Sequence, residues 1–346
     1  MRYLRVPFSQ LPEQYASVDW RDAMAATFAS CDFTLGREVD LFEKDVAEWL
    51  GVASWQVIAV NSGTDALKLC LGLYPSLAPG SEVLIPTNTF VATAGAVIEA
   101  GLVPVFCDVG DDFLIDLGDA AKRLTSHTRA IIPVDLYGSP CWKYEVDVFA
   151  RSGPPELAVV EDAAQAFGAQ DGTGWWDRDS LFPAALSLHP LKTFNVPGDG
   201  GFILLPPDWE EAAVSVRHRR NHGLADRDTV SMPGINSRLN TLGAAVARRQ
   251  LPYVKKWIER RQVIAQRYNA ALRTIDGILL PSPDPVKSVV HLYVVRCRRR
   301  DELITRLAMR GIQAKIHYPV PLHRQPGFSR YARCRLPKAE KQAGEI

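Results

Sequence analysis

Residues 57–73 read VIAVNSGTDALKLCLGL, and the fold follows from how this stretch is parsed. Val57 to Val60 are four consecutive apolar residues without alternation, the pattern of a strand buried on both faces. Asn61-Ser62-Gly63-Thr64-Asp65 break the run, and residues 66–73 continue in helix-compatible residues. A strand that hands small polar residues to a helix N-terminus leaves free backbone N–H groups and hydroxyls where the helix dipole favours an anion. The turn is therefore a phosphate cradle or an ordinary capped βα turn; it matches neither GxGxxG nor GxxxxGK[ST], so both readings stay open on these residues alone.

Working outward, the same kind of apolar run returns at 83–85, 103–107, 130–134, 158–160, 184–188 and 202–205, mostly with helix-compatible stretches between. Seven unalternated runs separated by helices predict an α/β domain with a mostly parallel seven-stranded sheet flanked by helices. Upstream, residues 38–50 (EVDLFEKDVAEWL) put Val39, Phe42, Val46 and Trp49 on one helical face and stop at Gly51. Downstream, Pro252 is expected to open a long helix through Tyr268 and Leu272. A strand candidate at 291–297, a helix at 301–309 and a second strand candidate at 312–318 follow. Residues 1–250 thus read as a large domain and residues 251–346 as a small C-terminal α+β domain.

The chain has 346 residues, enough for a large buried core. Lys and Arg total 40 against 39 Asp and Glu, a net charge of +1. That removes the general positive field on which non-specific nucleic-acid or membrane-surface binding relies. The N-terminal MRYLRVPFSQLPEQ has no apolar leader region, and no apolar stretch reaches membrane-spanning length, so neither nucleic acid nor membrane is an expected partner. Six scattered cysteines (31, 70, 107, 141, 297, 334) form no CxxC and no zinc-ligand spacing, which points to reduced thiols, a cytoplasmic location and no metal.

Two further stretches carry chemistry. Val160-Glu161-Asp162-Ala163-Ala164-Gln165-Ala166 delivers an acidic pair at the carboxyl end of a strand, where open α/β sheets bind ligands. Asp162 could accept a hydrogen bond from a protonated ring nitrogen, hold a metal, or cap the next helix. Residues 187–202 (SLHPLKTFNVPGDGGF) set Lys192 in a Pro- and Gly-punctuated turn among apolar neighbours, with no acid closer in sequence than Asp199. Desolvation without a nearby counter-ion makes an amine a better nucleophile toward an aldehyde. In chain order, a phosphate cradle, a strand-end carboxylate and a turn-borne lysine are the three requirements for pyridoxal 5′-phosphate.

Here the chain closely resembles the DegT/DnrJ/EryC1/StrS family of sugar aminotransferases, fold-type-I pyridoxal phosphate enzymes related to aspartate aminotransferase. Seven blocks carry the resemblance in the family's order: NSGTDAL at 61–67, PTNTFVAT at 86–93, PVDLYG at 133–138, EDAAQA at 161–166, Lys192 with GDGG at 198–201, GINSRL at 234–239 and HYPVPLH at 317–323. The likeness begins near Gly36 and extends to about Pro326.

The resemblance implies a role for each matching residue. Lys192 stands where the family's Schiff-base lysine stands, and Asp162 where the carboxylate pairs with the pyridine nitrogen. Gln165 matches the residue beside the cofactor's phenolic oxygen, and Phe90 the aromatic stacked on its ring. Gly63, Thr64 and Ser187 match the phosphate-binding groups. Asn236 matches an asparagine that reaches the phosphate from the other subunit, implying a homodimer with shared sites. Tyr318 and His323 fall in a segment that resembles a substrate-facing loop.

The implied activity is transfer of an amino group from glutamate to a nucleotide-linked keto sugar of the 3- or 4-keto-6-deoxyhexose type, in amino-sugar biosynthesis. The cofactor would alternate between its aldehyde form and pyridoxamine 5′-phosphate. A keto-cyclitol (inosose) aminotransferase is the alternative, and a non-catalytic pyridoxal phosphate-binding regulator a more distant one. Lys192 argues against the regulator and against a dehydratase, whose branch carries histidine there.

Some positions depart from the family pattern. Thr193 stands where asparagine is more usual, Asn240 and Gly243 replace common Asp and Gln, and Gly174-Trp175-Trp176-Asp177-Arg178-Asp179 is an unusual insertion-like loop. After Pro326 the family's closing segment is hardly recognisable, and the chain reads as slightly short.

Overall fold

The computed structural model describes residues 5–153, 156–169, 181–281 and 287–346. The Trp175-Trp176 loop lies outside the described residues. Ten short strands are present among them: β1 (Val57–Val60), β2 (Glu82–Pro86), β3 (Val103–Cys107), β4 (Thr128–Ile131), β5 (Ala158–Val159), β6 (Glu161–Asp162), β7 (Ala184–Ser187), β8 (Gly201–Leu204), β9 (Ile278–Leu279) and β10 (Arg296–Cys297). The helices are α1 (Leu11–Ala16), α2 (Arg21–Ser30), α3 (Arg37–Leu50), α4 (Gly63–Leu71), α5 (Val91–Glu99), α6 (Leu117–Lys122), α7 (Lys143–Ser152), α8 (Glu210–Arg219), α9 (Thr241–Leu272), α10 (Arg300–Met309) and α11 (Pro337–Glu345).

The strands form two four-stranded sheets, ordered β3-β2-β4-β5 and β1-β8-β7-β6. They join because β5 and β6 are two halves of one interrupted strand. Val160 N–H donates to Ile131 on one side, Glu161 N–H to Pro183 on the other, and a parallel bridge links Val134 to Asp162. The layer reaches the expected seven strands only when these halves count as one. The pairs β2–β3, β2–β4, β4–β5 and β6–β7 are parallel, whereas β8 is antiparallel to both β1 and β7.

All seven apolar runs became strand, since each must bury both faces. On one face Ile58, Val60, Val83, Ile85 and Ile203 pack against α4, α5 and α8. The opposite face is covered by α3 and α9 over β1, β7 and β8, and by α6 and α7 over β2 to β5. In α3, Val39, Phe42 and Val46 are buried as the periodicity requires, Trp49 stacks on Phe167 at 4.8 Å, and Gly51 takes the left-handed conformation at φ 73°.

Three sequence expectations for the C-terminal part are corrected. Pro252 does not open the long helix: α9 starts at Thr241, where the Asn240 side chain accepts from Gly243 N–H at 2.7 Å, and Pro252 sits inside it. Ala244, Ala247, Leu251, Val254 and Ile258 bury one continuous stripe across the proline, and that burial outweighs the missing backbone hydrogen bond. The expected boundary at 250/251 therefore falls within a single helix. The strand candidate at 291–297 shrinks to β10, paired antiparallel with the unforeseen β9, and 312–318 forms no strand, only a single bridge from Ile312 to Val6.

Candidate active site

The sequence-predicted residues converge because their elements end on one side of the sheet. Ser62 caps α4 by accepting from Asp65 N–H at 3.2 Å, so Gly63 and Thr64 are the first two helical residues, with N–H groups ahead of the helix's own ladder. A Cβ on Gly63 would lie 2.9 Å from the Ser187 Cβ, so the end of β7 is pressed against the start of α4. Gly201 at the start of β8 is tighter still: a Cβ there would come within 2.6–2.8 Å of Ser62, Leu186 and Gly63 backbone atoms. This cradle of two N–H groups and the Ser187 hydroxyl fits a phosphate.

Alternation in β6 turns Asp162 and Glu161 to opposite faces. Asp162 borders the cavity, where Thr93 of α5 donates to its Oδ2 at 2.7 Å and Ala164 N–H to its Oδ1 at 3.2 Å. Burial pushes its carboxyl above the usual range, partly offset by those two donors and by Lys192. Glu161 meets Lys143 at 3.3 Å behind the sheet, beside Asp135 and Cys141.

Lys192 is half-buried on a turn whose N–H donates to His189 at 2.8 Å. Its carbonyl accepts from the Asn195 amide at 2.9 Å, and Asn195 in turn accepts from Tyr15 of α1 at 2.7 Å. Burial pushes the amine down to about 8, with the Asp162 carboxylate pulling the other way. Gln165 Oε1 accepts from Tyr137 N–H at 2.9 Å, which turns its amide nitrogen toward the Tyr318 hydroxyl at 3.5 Å. Phe90 is half-exposed at the cavity edge, 6.2 Å from the Tyr318 ring.

Gly63, Thr64, Phe90, Asp162, Gln165, Ser187, Lys192 and Tyr318 all line one cavity of about 1100 Å³. Two predicted residues do not. Asn236 is exposed and away from its own chain's cavity. His323 is buried elsewhere, with Nδ1 on the Thr87 hydroxyl at 2.7 Å and Nε2 on Glu340 at 3.2 Å; both ring nitrogens are occupied, so the expectation of a substrate-facing His323 is corrected.

Sequence reasoning missed Thr93 and Tyr137, though both lie inside quoted blocks; only the fold reveals that they hold Asp162 and Gln165. It also missed Arg261 and His291, which line the same cavity though no local pattern singles them out. The cavity residues fit pyridoxal phosphate: the cradle matches its phosphate, the buried strand-end carboxylate its ring nitrogen and the depressed lysine its aldehyde.

The family model described as the DegT/DnrJ/EryC1/StrS aminotransferase family matches residues 17–346. The chain belongs to that family. The match extends past Pro326, so the C-terminal segment shares in the DegT/DnrJ/EryC1/StrS likeness that its sequence hid. Among family relatives, a dTDP-3-amino-3,4,6-trideoxy-alpha-D-glucose transaminase of Streptomyces venezuelae is 36% identical, over 99% of this chain and 90% of its own length. The crystal structure of S. venezuelae DesV, solved in complex with a ketimine intermediate, superposes with a TM-score of 0.92 at 36% identity, covering 99% of this chain and 91% of that one. NtdA of Bacillus subtilis, solved with bound PMP, gives 0.88 at 29% identity, covering 100% and 80%.

Proposed function

We propose that this chain is a pyridoxal phosphate-dependent aminotransferase that takes nitrogen from glutamate and gives it to a nucleotide-linked keto sugar of the 3- or 4-keto-6-deoxyhexose type, working as a homodimer. The observation that carries the reading is the meeting of Lys192, Asp162 and the Gly63–Thr64–Ser187 cradle in one cavity. The names of the relatives support the sugar class. Six free thiols fit a reducing, cytoplasmic compartment.

When bound, the cofactor supplies an electron sink for the carbanion left at the donor's Cα. The chain's residues do the rest. Gly63 and Thr64 N–H groups and the Ser187 hydroxyl bind the phosphate. Phe90 and Tyr318 bound the space for the ring, and Gln165, fixed by Tyr137, presents its amide to the ring's edge. Asp162 keeps the ring nitrogen protonated by accepting its hydrogen bond, and Thr93 holds Asp162 in place. Lys192 Nζ, kept partly neutral near physiological pH, would take the proton from the donor's Cα and, in the second half-reaction, give one to the sugar carbon that receives the nitrogen. Residues on both sides of position 250 line the cavity, so we also propose that the C-terminal unit closes over a site built by the N-terminal one.

The test is a half-reaction screen. Protein loaded with pyridoxamine phosphate should regain the visible absorbance of the lysine-bound cofactor when given nucleotide-linked keto sugars. Recovery only with free cyclitol ketones overturns the sugar reading in favour of the inosose alternative.

A further inference from the structure

The C-terminal half of α9 lines the same cavity with residues that the chemistry at Lys192 does not use. Trp257, Arg260, Arg261, Ile264 and Tyr268 fall at helical spacing on the cavity face. Arg261 Nη1 donates to the carbonyls of Val290 and His291 at 3.1 and 3.2 Å, which orients the guanidinium, yet it meets no carboxylate among the described residues. Burial pulls its pKa down, with no opposing anion. Arg260 beside it is exposed and forms no ion pair with any described residue. Two turns further along, the rings of Tyr268 and Tyr293 lie 5.0 Å apart, the latter fixed by donating to Asn269 at 2.6 Å, while Tyr268 stays 44% exposed.

A desolvated guanidinium without a counter-ion is costly, and an incoming anion offsets that cost. Two cations lining one cavity suit the multiple charge of a diphosphate, and an aromatic pair two turns away offers a face to a planar base. The carboxylate of a small amino donor would need one cation and no aromatic wall. We infer that this face of α9 seats the nucleoside diphosphate of the substrate, with Arg260 and Arg261 on the diphosphate and Tyr268 on the base. The inference rests on the nucleotide-linked reading above and adds where the nucleotide lies.

Calorimetric titration of the cofactor-loaded protein with dTDP, UDP and inorganic diphosphate tests it. The wild-type protein should bind a nucleoside diphosphate more tightly than inorganic diphosphate. R260Q and Y268L should each weaken nucleoside diphosphate binding by about tenfold, in line with loss of a charge-assisted bond or a stacked ring. For inorganic diphosphate, R260Q should weaken binding and Y268L should not. Retention of the cofactor's visible absorbance shows that each variant is folded, and R261Q is read only if it passes that check. Unchanged nucleotide affinity in both R260Q and Y268L overturns the α9 seat and leaves the nucleotide-sugar reading standing. Equal binding of inorganic diphosphate and nucleotides overturns the base subsite. Failure of the wild-type protein to bind any of the three overturns the nucleotide-linked reading, and the inference with it.

Discussion

At the residue scale, the lowered amine of Lys192 has a measurable consequence. Only the neutral amine can attack an aldehyde or accept a carbon-bound proton, and its fraction grows as pH rises through the amine's pKa. With that value near 8, the rate at which the apoprotein captures pyridoxal phosphate should climb through pH 7 to about 8.5 and then level off. A rate still climbing beyond about pH 10, as for an ordinary lysine, contradicts the burial argument. Lys192→Ala should abolish turnover and the visible absorbance of the lysine-bound cofactor without altering the circular dichroism spectrum; retention of that absorbance removes Lys192 from its role. Thr93→Val keeps the shape but leaves Asp162 Oδ2 without its donor at 2.7 Å. A loss of about 1–3 kcal/mol in unfolding free energy is expected, with weaker cofactor retention on dialysis. The placement of Asp162 at a strand end and of Lys192 in the turn after β7 was legible in the sequence because an apolar run that reads as a buried strand leads to each. Thr93 was not, because its partner is 69 positions away and their contact exists only once α5 packs against β2 and β3 and its first turn reaches the end of β6.

At the element scale, β8 and the turn before α4 depend on one missing side chain. Backbone atoms of Ser62, Gly63 and Leu186 surround the place a Gly201 Cβ would occupy, and backbone cannot swing aside as a flexible side chain can. Gly201→Ala should therefore push the phosphate turn outward, costing about 1–3 kcal/mol of stability and raising the cofactor dissociation constant by about tenfold. Equilibrium unfolding and fluorescence titration measure the two effects, and an unchanged cofactor affinity would show that the turn is not the cradle. The buried strands were readable from their unalternated apolar runs because a strand covered on both faces has little but apolar residues to offer, with the charged pair of β6 an exception. The start of α9 was not. A proline followed by a long helix-compatible stretch reads locally as a first helical turn, and only the tertiary burial of Ala244, Ala247 and Leu251 overrides that preference. Two-residue strands such as β9 and β10 are held by their neighbours and leave no periodic trace in the sequence.

At the scale of the whole molecule, the site within one chain lacks the contact expected of Asn236. That residue is exposed, beyond its own cavity, at the bridge between Asn221 and Asn236 that closes the 222–235 loop. If the asparagine serves a partner's phosphate cradle, Lys192 and Asn236 of one site come from different chains, and complementation can detect it. K192A should be inactive and N236A weakly active when cofactor is limiting. In a mixed dimer made after reversible dissociation, one site inherits both defects and the other inherits neither. Random exchange makes half the dimers mixed, so about a quarter of the sites should regain full activity at limiting cofactor. Were Asn236 to act within its own chain, each mixed dimer would hold one site without the lysine and one without the asparagine. Mixing would then add nothing to the summed activities of the two parents. The rise on mixing thus separates a shared site from two self-contained ones without a structure of the assembly.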